Sequence, residues 1–172
     1  MSIFRLRSVA AFATLAGLVC GSALAEEALV PRDGTWQSAT RDTAFSECGP
    51  MVESMFKNVI AKHVKKTTRN VAWGGVFDPD KMSDFNEAPT QTITWTKTGP
   101  NSYEGKVVQK TPDGKPMGSA DLTMTLVSED RIDATSAVSF KAMMPEASSA
   151  MAQLGAQNCQ IKTSFDIERI GD

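Results

Sequence analysis

The sequence predicts an α+β protein that is mostly antiparallel β: a curved sheet or partly closed β-barrel of about seven strands, with one long helix over about 50–66 packed on it and one short helix over about 145–154. Three observations carry this. Apolar and polar residues alternate with a period of two over 90–98, 117–128, 132–142 and 158–170, which suits strands with one buried face. Turn residues separate these runs (Gly99-Pro100-Asn101, Pro112-Asp113-Gly114, Ser128-Glu129-Asp130), so neighbouring strands are joined tightly and run antiparallel. One stretch, beginning at Gly49-Pro50, repeats apolar residues at helical spacing.

Taken from the N-terminus, residues 1–25 read as a secretory signal peptide. Arg5 and Arg7 form a basic start, Val9 to Val19 is an apolar run, and Ala23-Leu24-Ala25 is a cleavage signal, with cutting expected after Ala25. The run is shorter than the ~20 residues a membrane-spanning helix needs. Val19 before Cys20 is not the small residue that a lipid-attachment site calls for. The expected location is the periplasm, with no transmembrane segment. Removal leaves roughly 150 residues, a single β-rich domain over 26–172. The whole chain carries a net charge of −2, and losing Arg5 and Arg7 makes it more acidic, which argues against nucleic acid as a partner. Of three cysteines, Cys20 leaves with the leader. Cys48 and Cys159 remain, and two cysteines in an oxidising compartment predict a Cys48–Cys159 disulfide.

The mature chain begins with a polar lead-in and an Asp33-Gly34 turn, then a short strand around Trp36 over 35–40. In the long helix Met51, Val52, Met55, Phe56, Val59, Ile60, His63 and Val64 form the apolar stripe. Glu53 and Lys57 make an i, i+4 pair in the favoured order, and Lys62, Lys65 and Lys66 suit the C-terminal end of its dipole. Thr68 to Phe77 reads as a strand with Val71, Trp73 and Phe77 on one face and Gly74-Gly75 marking a bulge or close approach. Asp78 to Pro89 reads as an acidic loop. In the following strands Ile93 and Trp95, then Leu122, Met124 and Leu126, then Ile132, Ala134, Val138 and Phe140, and finally Cys159, Ile161, Phe165 and Ile167 point inward.

Chemistry is hard to find in this chain. With one histidine, a His-rich metal site cannot form within it. There is no H-E-x-x-H, G-x-S-x-G, P-loop or G-x-G-x-x-G pattern, and paired cysteines leave no thiolate nucleophile. His63 reads as a half-buried helix residue among lysines. The acidic loop fails the EF-hand pattern at Met82, and the scattered methionines read as deformable packing, so no metal or cofactor is expected.

Asp33-Gly34-Thr35-Trp36 is a Gly-x-Trp at the start of an antiparallel meander, and in this the chain resembles the lipocalin and calycin class, whose barrels hold small apolar ligands. It differs in placing its long helix directly after the first strand. In layout it is more similar to small proteobacterial periplasmic proteins of unknown function, which share a leader, an early Gly-x-Trp strand, cysteines and a β-meander over Gly34 to Ile170. That resemblance implies no catalytic residues.

The sequence points first to a non-enzymatic secreted or periplasmic binding or accessory protein. Its apolar interior between sheet and helix, lined by Trp36, Phe56, Trp73, Trp95, Met124 and Phe140, would hold a small lipid-like molecule or a segment of a partner protein. The same residues would equally build a solid core. A second reading is an envelope interaction module docking through the basic face Lys57, Lys62, Lys65, Lys66 and Arg69. A third is a small carboxylate-dependent hydrolase using Asp78, Asp80 or Asp84.

Overall fold

A computed structural model describes residues 27–63, 66–85, 91–111, 113–114, 116–139, 141, 156 and 158–172. The leader, the short helix expected over 145–154 and the side chains of His63 and Phe140 lie outside the described residues, as do residues 64 and 65 of the expected long helix.

Seven antiparallel strands form one sheet curled into a half-barrel: β1 (Gly34–Ser46), β2 (Thr67–Val71), β3 (Gln91–Lys97), β4 (Ser102–Lys110), β5 (Pro116–Ser128), β6 (Arg131–Ser139) and β7 (Gln160–Gly171), in the spatial order β2-β1-β7-β6-β5-β4-β3. The chain from β3 to β7 is a simple meander, and β7 then pairs with β1, so the first and last long strands lie side by side. β2 and β3 are the two free edges of the curl. A 3-10 helix of seven residues, Pro79–Phe85, lies against both.

β1 is 13 residues long, more than twice its expected length. Alternation along it breaks in the middle. Trp36 faces inward, and so does Phe45, nine positions later, which strict alternation forbids. A bulge resolves this. Thr40 pairs with Phe165 and Asp42 with Ser164, leaving Arg41 as the extra residue, and the inward parity switches there from even to odd.

The helix α1 (Pro50–His63) begins at the expected proline, with the Glu53 N–H donating to the Gly49 carbonyl oxygen at 3.0 Å. Of its expected apolar stripe, the side chains of Val59, Ile60, His63 and Val64 lie outside the described residues. Val52 is buried and Phe56 half-buried, one turn apart, whereas Met51 and Met55 are exposed. The helix rests Val52 and Phe56 on the β1–β7 corner, and Met51 and Met55 beside them face solvent.

The strand expected to reach Phe77 stops at Val71. Gly74 and Gly75 adopt φ values of 63° and 81°, left-handed conformations that end an extended strand. The loop that follows is tied at both charges. One oxygen of the Asp33 carboxylate accepts the N–H groups of Trp73 (2.6 Å) and Gly74 (3.1 Å). The Lys81 ammonium donates to the carbonyl oxygens of Ala72 (3.1 Å) and Trp73. This folds Trp73, Phe77 and Met82 back into the curl, all three buried. The segment expected as a solvated acidic loop is thus partly a plug, with Met82 as its anchor.

Two apolar clusters result. One fills the end of the curl where β2, β6 and β7 meet the plug, with Trp36, Trp73, Phe77, Leu126, Ile132 and Ile167 among its members. Trp36, Trp73, Phe77 and Tyr103 form a chain of edge-on and tilted ring contacts at 5.5–5.7 Å, reaching across the curl from β1 to β4. The other cluster lies at the opposite end, under α1: Val52, Ala156, Cys159 and Ile161, with Phe45, Cys48 and Phe56 against them. The predicted disulfide is present there, joining Cys48 to Cys159 with 4.4 Å between their Cα atoms.

Candidate functional site

Strand register places the side chains between the two clusters in one continuous row. Thr43 pairs with Thr163, Thr163 with Ser136, Ser136 with Leu122, Leu122 with Gly105, and Gly105 with Trp95. The row crosses six strands, from β1 to β3, along the inner face. Its composition divides in half. The β1, β7 and β6 positions carry hydroxyls, and the β5, β4 and β3 positions carry Leu, Gly and Trp. All but Gly105 are half-buried.

Gly105 has a clear steric reason. A Cβ there would lie 2.5 Å from Trp95 Cζ3 and 2.7 Å from Cε3, so the benzo ring of Trp95 lies directly on the β4 backbone. The pyrrole edge that carries Nε1 is therefore turned away from β4. That Nε1 is buried and has no hydrogen-bond partner. The Thr43 and Thr163 hydroxyl oxygens are 3.4 Å apart, a weak link that leaves further hydrogen-bonding capacity on both. Toward the plug, the next row holds Thr40, Phe165, Ala134, Met124 and Tyr103. Toward the helix, Phe45, Ile161 and Val138 continue β1, β7 and β6, and Ile93 and Val107 continue β3 and β4.

The six residues expected to line one pocket are distributed. Trp36 and Trp73 sit fully buried in the plug cluster, and Met124 packs on it half-buried. Phe56 belongs to the helix cluster. Trp95 lies in the row between them, and Phe140 is outside the described side chains. Trp36 Nε1 donates to the Arg32 carbonyl oxygen at 3.1 Å, whereas Trp73 Nε1, like that of Trp95, is buried without a partner.

On the expected basic face, Lys57 pairs with Glu53 at 2.6 Å and places its ammonium 5.8 Å from the Phe45 ring centroid. Lys66 is exposed; Arg69 lies half-buried on β2, opposite Trp36 of β1. The side chains of Lys62 and Lys65 are outside the described residues. Of the expected carboxylates, Asp78 accepts the Asp80 N–H at 3.0 Å, and the Asp84 side chain is not described. Among the described residues, no group of three or more His, Cys, Asp or Glu is placed to hold a metal ion. Among the same residues, no helix is long and apolar enough to cross a membrane.

Two features went unread in the sequence. On the outer face Asp133 and Asp166 stand directly opposite one another. Arg41 reaches both (3.5 and 2.9 Å), and so does Arg131 (3.0 and 3.1 Å). The hydrogen bond that Arg131 donates to Asp133 holds the pKa of Arg131 above the ordinary arginine value. The bulge at Arg41 brings that guanidinium to the pair, and no spacing rule foresees a bulge. The second feature is Asn101, buried in what the sequence shows as a plain turn. Its Oδ1 accepts the Leu29 N–H (2.6 Å), and its Nδ2 donates to the Glu27 carbonyl oxygen (2.9 Å). It fastens the N-terminal arm to the plug end. Arg32 adds a second tie, to Glu129 at 2.9 Å and Asp130 at 3.3 Å.

Comparison of the chain with protein-family models, with curated proteins and with solved structures returns no match.

Proposed function

We propose that this protein is a non-enzymatic binding protein of the periplasm that holds a small apolar molecule against the inner face of its half-barrel. One observation carries the reading. The sheet stops short of closing, with β2 and β3 as separate edges, and its inner face keeps Trp95, Leu122, Met124 and Phe165 only half-buried. Large apolar side chains left partly open on a concave surface are what a small-molecule site requires. The secretory leader and the Cys48–Cys159 disulfide support the compartment.

Native mass spectrometry of the mature protein from a periplasmic extract tests this. The expected result is an added mass that disappears when the same sample is denatured. A bare polypeptide mass under both conditions counts against a resident ligand. The denatured mass also reads the leader: cleavage after Ala25 predicts a chain beginning at Glu26.

A further inference from the structure

Resting on the proposed apolar-ligand site, we infer that the ligand's polar end is uncharged and accepts a hydrogen bond from Trp95 Nε1, lying across the row Trp95–Gly105–Leu122–Ser136–Thr163–Thr43.

Three features of that row define the chemistry. The first is the orphan donor. A buried indole N–H without an acceptor is a standing cost of about 1–3 kcal/mol, and native proteins satisfy nearly all such groups. Among the described residues Trp95 Nε1 is such a group, and the benzo ring seated on Gly105 turns its N–H edge away from the β4 backbone. An acceptor on a bound molecule would satisfy it by displacing the atoms that cover that N–H. The second is the hydroxyl half of the row. Ser136, Thr163 and Thr43 interrupt an inner face that is apolar toward both ends. Side-chain hydroxyls donate and accept equally well, so they suit a neutral alcohol, ester or amide. The third is charge. The row contains no ionisable side chain, and neither do the positions flanking it toward the helix. In the row toward the plug, the nearest cation is Lys97, opposite Tyr103 with its ammonium 5.8 Å from that ring's centroid. A carboxylate or an ammonium lying over the row would therefore be desolvated with no counter-charge among the described residues, which is unfavourable. A neutral head group incurs no such cost. The flat Trp95 face and Leu122 take the apolar part.

The test compares three probes with one tail: dodecanol, dodecanoate and dodecyltrimethylammonium. Binding to the mature protein is followed by tryptophan fluorescence and by the indole N–H cross-peak of Trp95, identified by its loss in Trp95→Phe. Dodecanol is expected to bind about tenfold or more tighter than either charged probe, the equivalent of one hydrogen bond made against one charge left unpaired. It should also move the Trp95 cross-peak downfield. Trp95→Phe keeps a ring on Gly105 and removes the donor. It should weaken dodecanol by about five- to tenfold and leave the charged probes unchanged. Ser136→Val, which leaves Trp95 untouched, should weaken dodecanol selectively in the same way. Equal binding of all three probes, or a Trp95→Phe variant that binds dodecanol normally, overturns the neutral-head assignment while the apolar site stands. If none of the probes binds, both the assignment and the ligand-binding reading fall.

Discussion

The two ends of the half-barrel are held by different means. At the plug end, four aromatic rings run edge to face from β1 to β4, a folded-back loop seats Met82, and Asn101 pins the N-terminal arm. At the helix end the buried cluster among the described residues is Val52 of α1, Ala156 and Cys159 before β7, and Ile161 of β7, and a disulfide joins the two segments. The apolar area available explains the difference. Dispersion and burial scale with the atoms packed, so a large aromatic cluster supports itself. The smaller described cluster under α1 has less to offer, and a link between residues 111 apart in sequence removes much of the unfolded chain's freedom. Removing one component from each end breaks the comparison open. Trp73→Ala deletes the central ring of the plug chain and should cost about 3–5 kcal/mol, read as a lower urea midpoint. An effect below about 1 kcal/mol would show that the plug is an appendage to the sheet and not its core.

Replacing both Cys48 and Cys159 by Ala should cost about 2–5 kcal/mol in the same measurement, and reduction of the wild-type disulfide should reproduce most of it. The sharper expectation is where the loss appears. Hydrogen exchange should accelerate in α1 and the ends of β1 and β7 and stay slow in β5 and β6, because the plug cluster does not use the disulfide. Uniform acceleration would mean that the two ends unfold as one unit. Next in size is Asn101→Ala. It removes the partner of the Leu29 N–H and the Glu27 carbonyl at a part-buried site, and should cost about 1–3 kcal/mol. Protease cutting within 27–33 should rise alongside, since this arm depends on that side chain and on the Arg32 pairs.

What the sequence reveals of the fold follows the same division. Strands β3 to β7 are legible because each is one-sided, and a tight turn joins each of β3, β4 and β5 to the next. The disulfide is legible from cysteine number and the compartment that the sequence leads one to expect. Two kinds of feature escape. The bulge at Arg41 hides the second half of β1, because a one-residue insertion flips the face and makes a continuous strand read as a strand that ends. The plug hides because Val71, Trp73 and Phe77 alternate like a strand, while two glycines in left-handed conformations and the Asp33 and Lys81 ties turn them into a loop. Trp95 is recognisable as an inward residue from its alternation. That it would share a row with three hydroxyls from β1, β6 and β7 depends on cross-strand register, which only the assembled sheet sets. Of the six residues expected to share a pocket, inward direction was readable for five, but which end of the curl each occupies was not.

The smallest expected effect sharpens the comparison at the helix end. Glu53 and Lys57 are close at 2.6 Å, but both are substantially exposed, and such i, i+4 pairs contribute about 0.2–0.5 kcal/mol. Glu53→Gln should therefore lower stability by no more than that in dilute buffer and by less at high salt. Lys57 also lies over the Phe45 ring, beside the disulfide cluster. Lys57→Met keeps an apolar stem over that ring while removing both the ion pair and the cation–π contact. If its cost matches that of Glu53→Gln, the ammonium matters only through Glu53. If the cost is about 0.5–1 kcal/mol larger, the cation over Phe45 is part of what holds the sparsely packed end together.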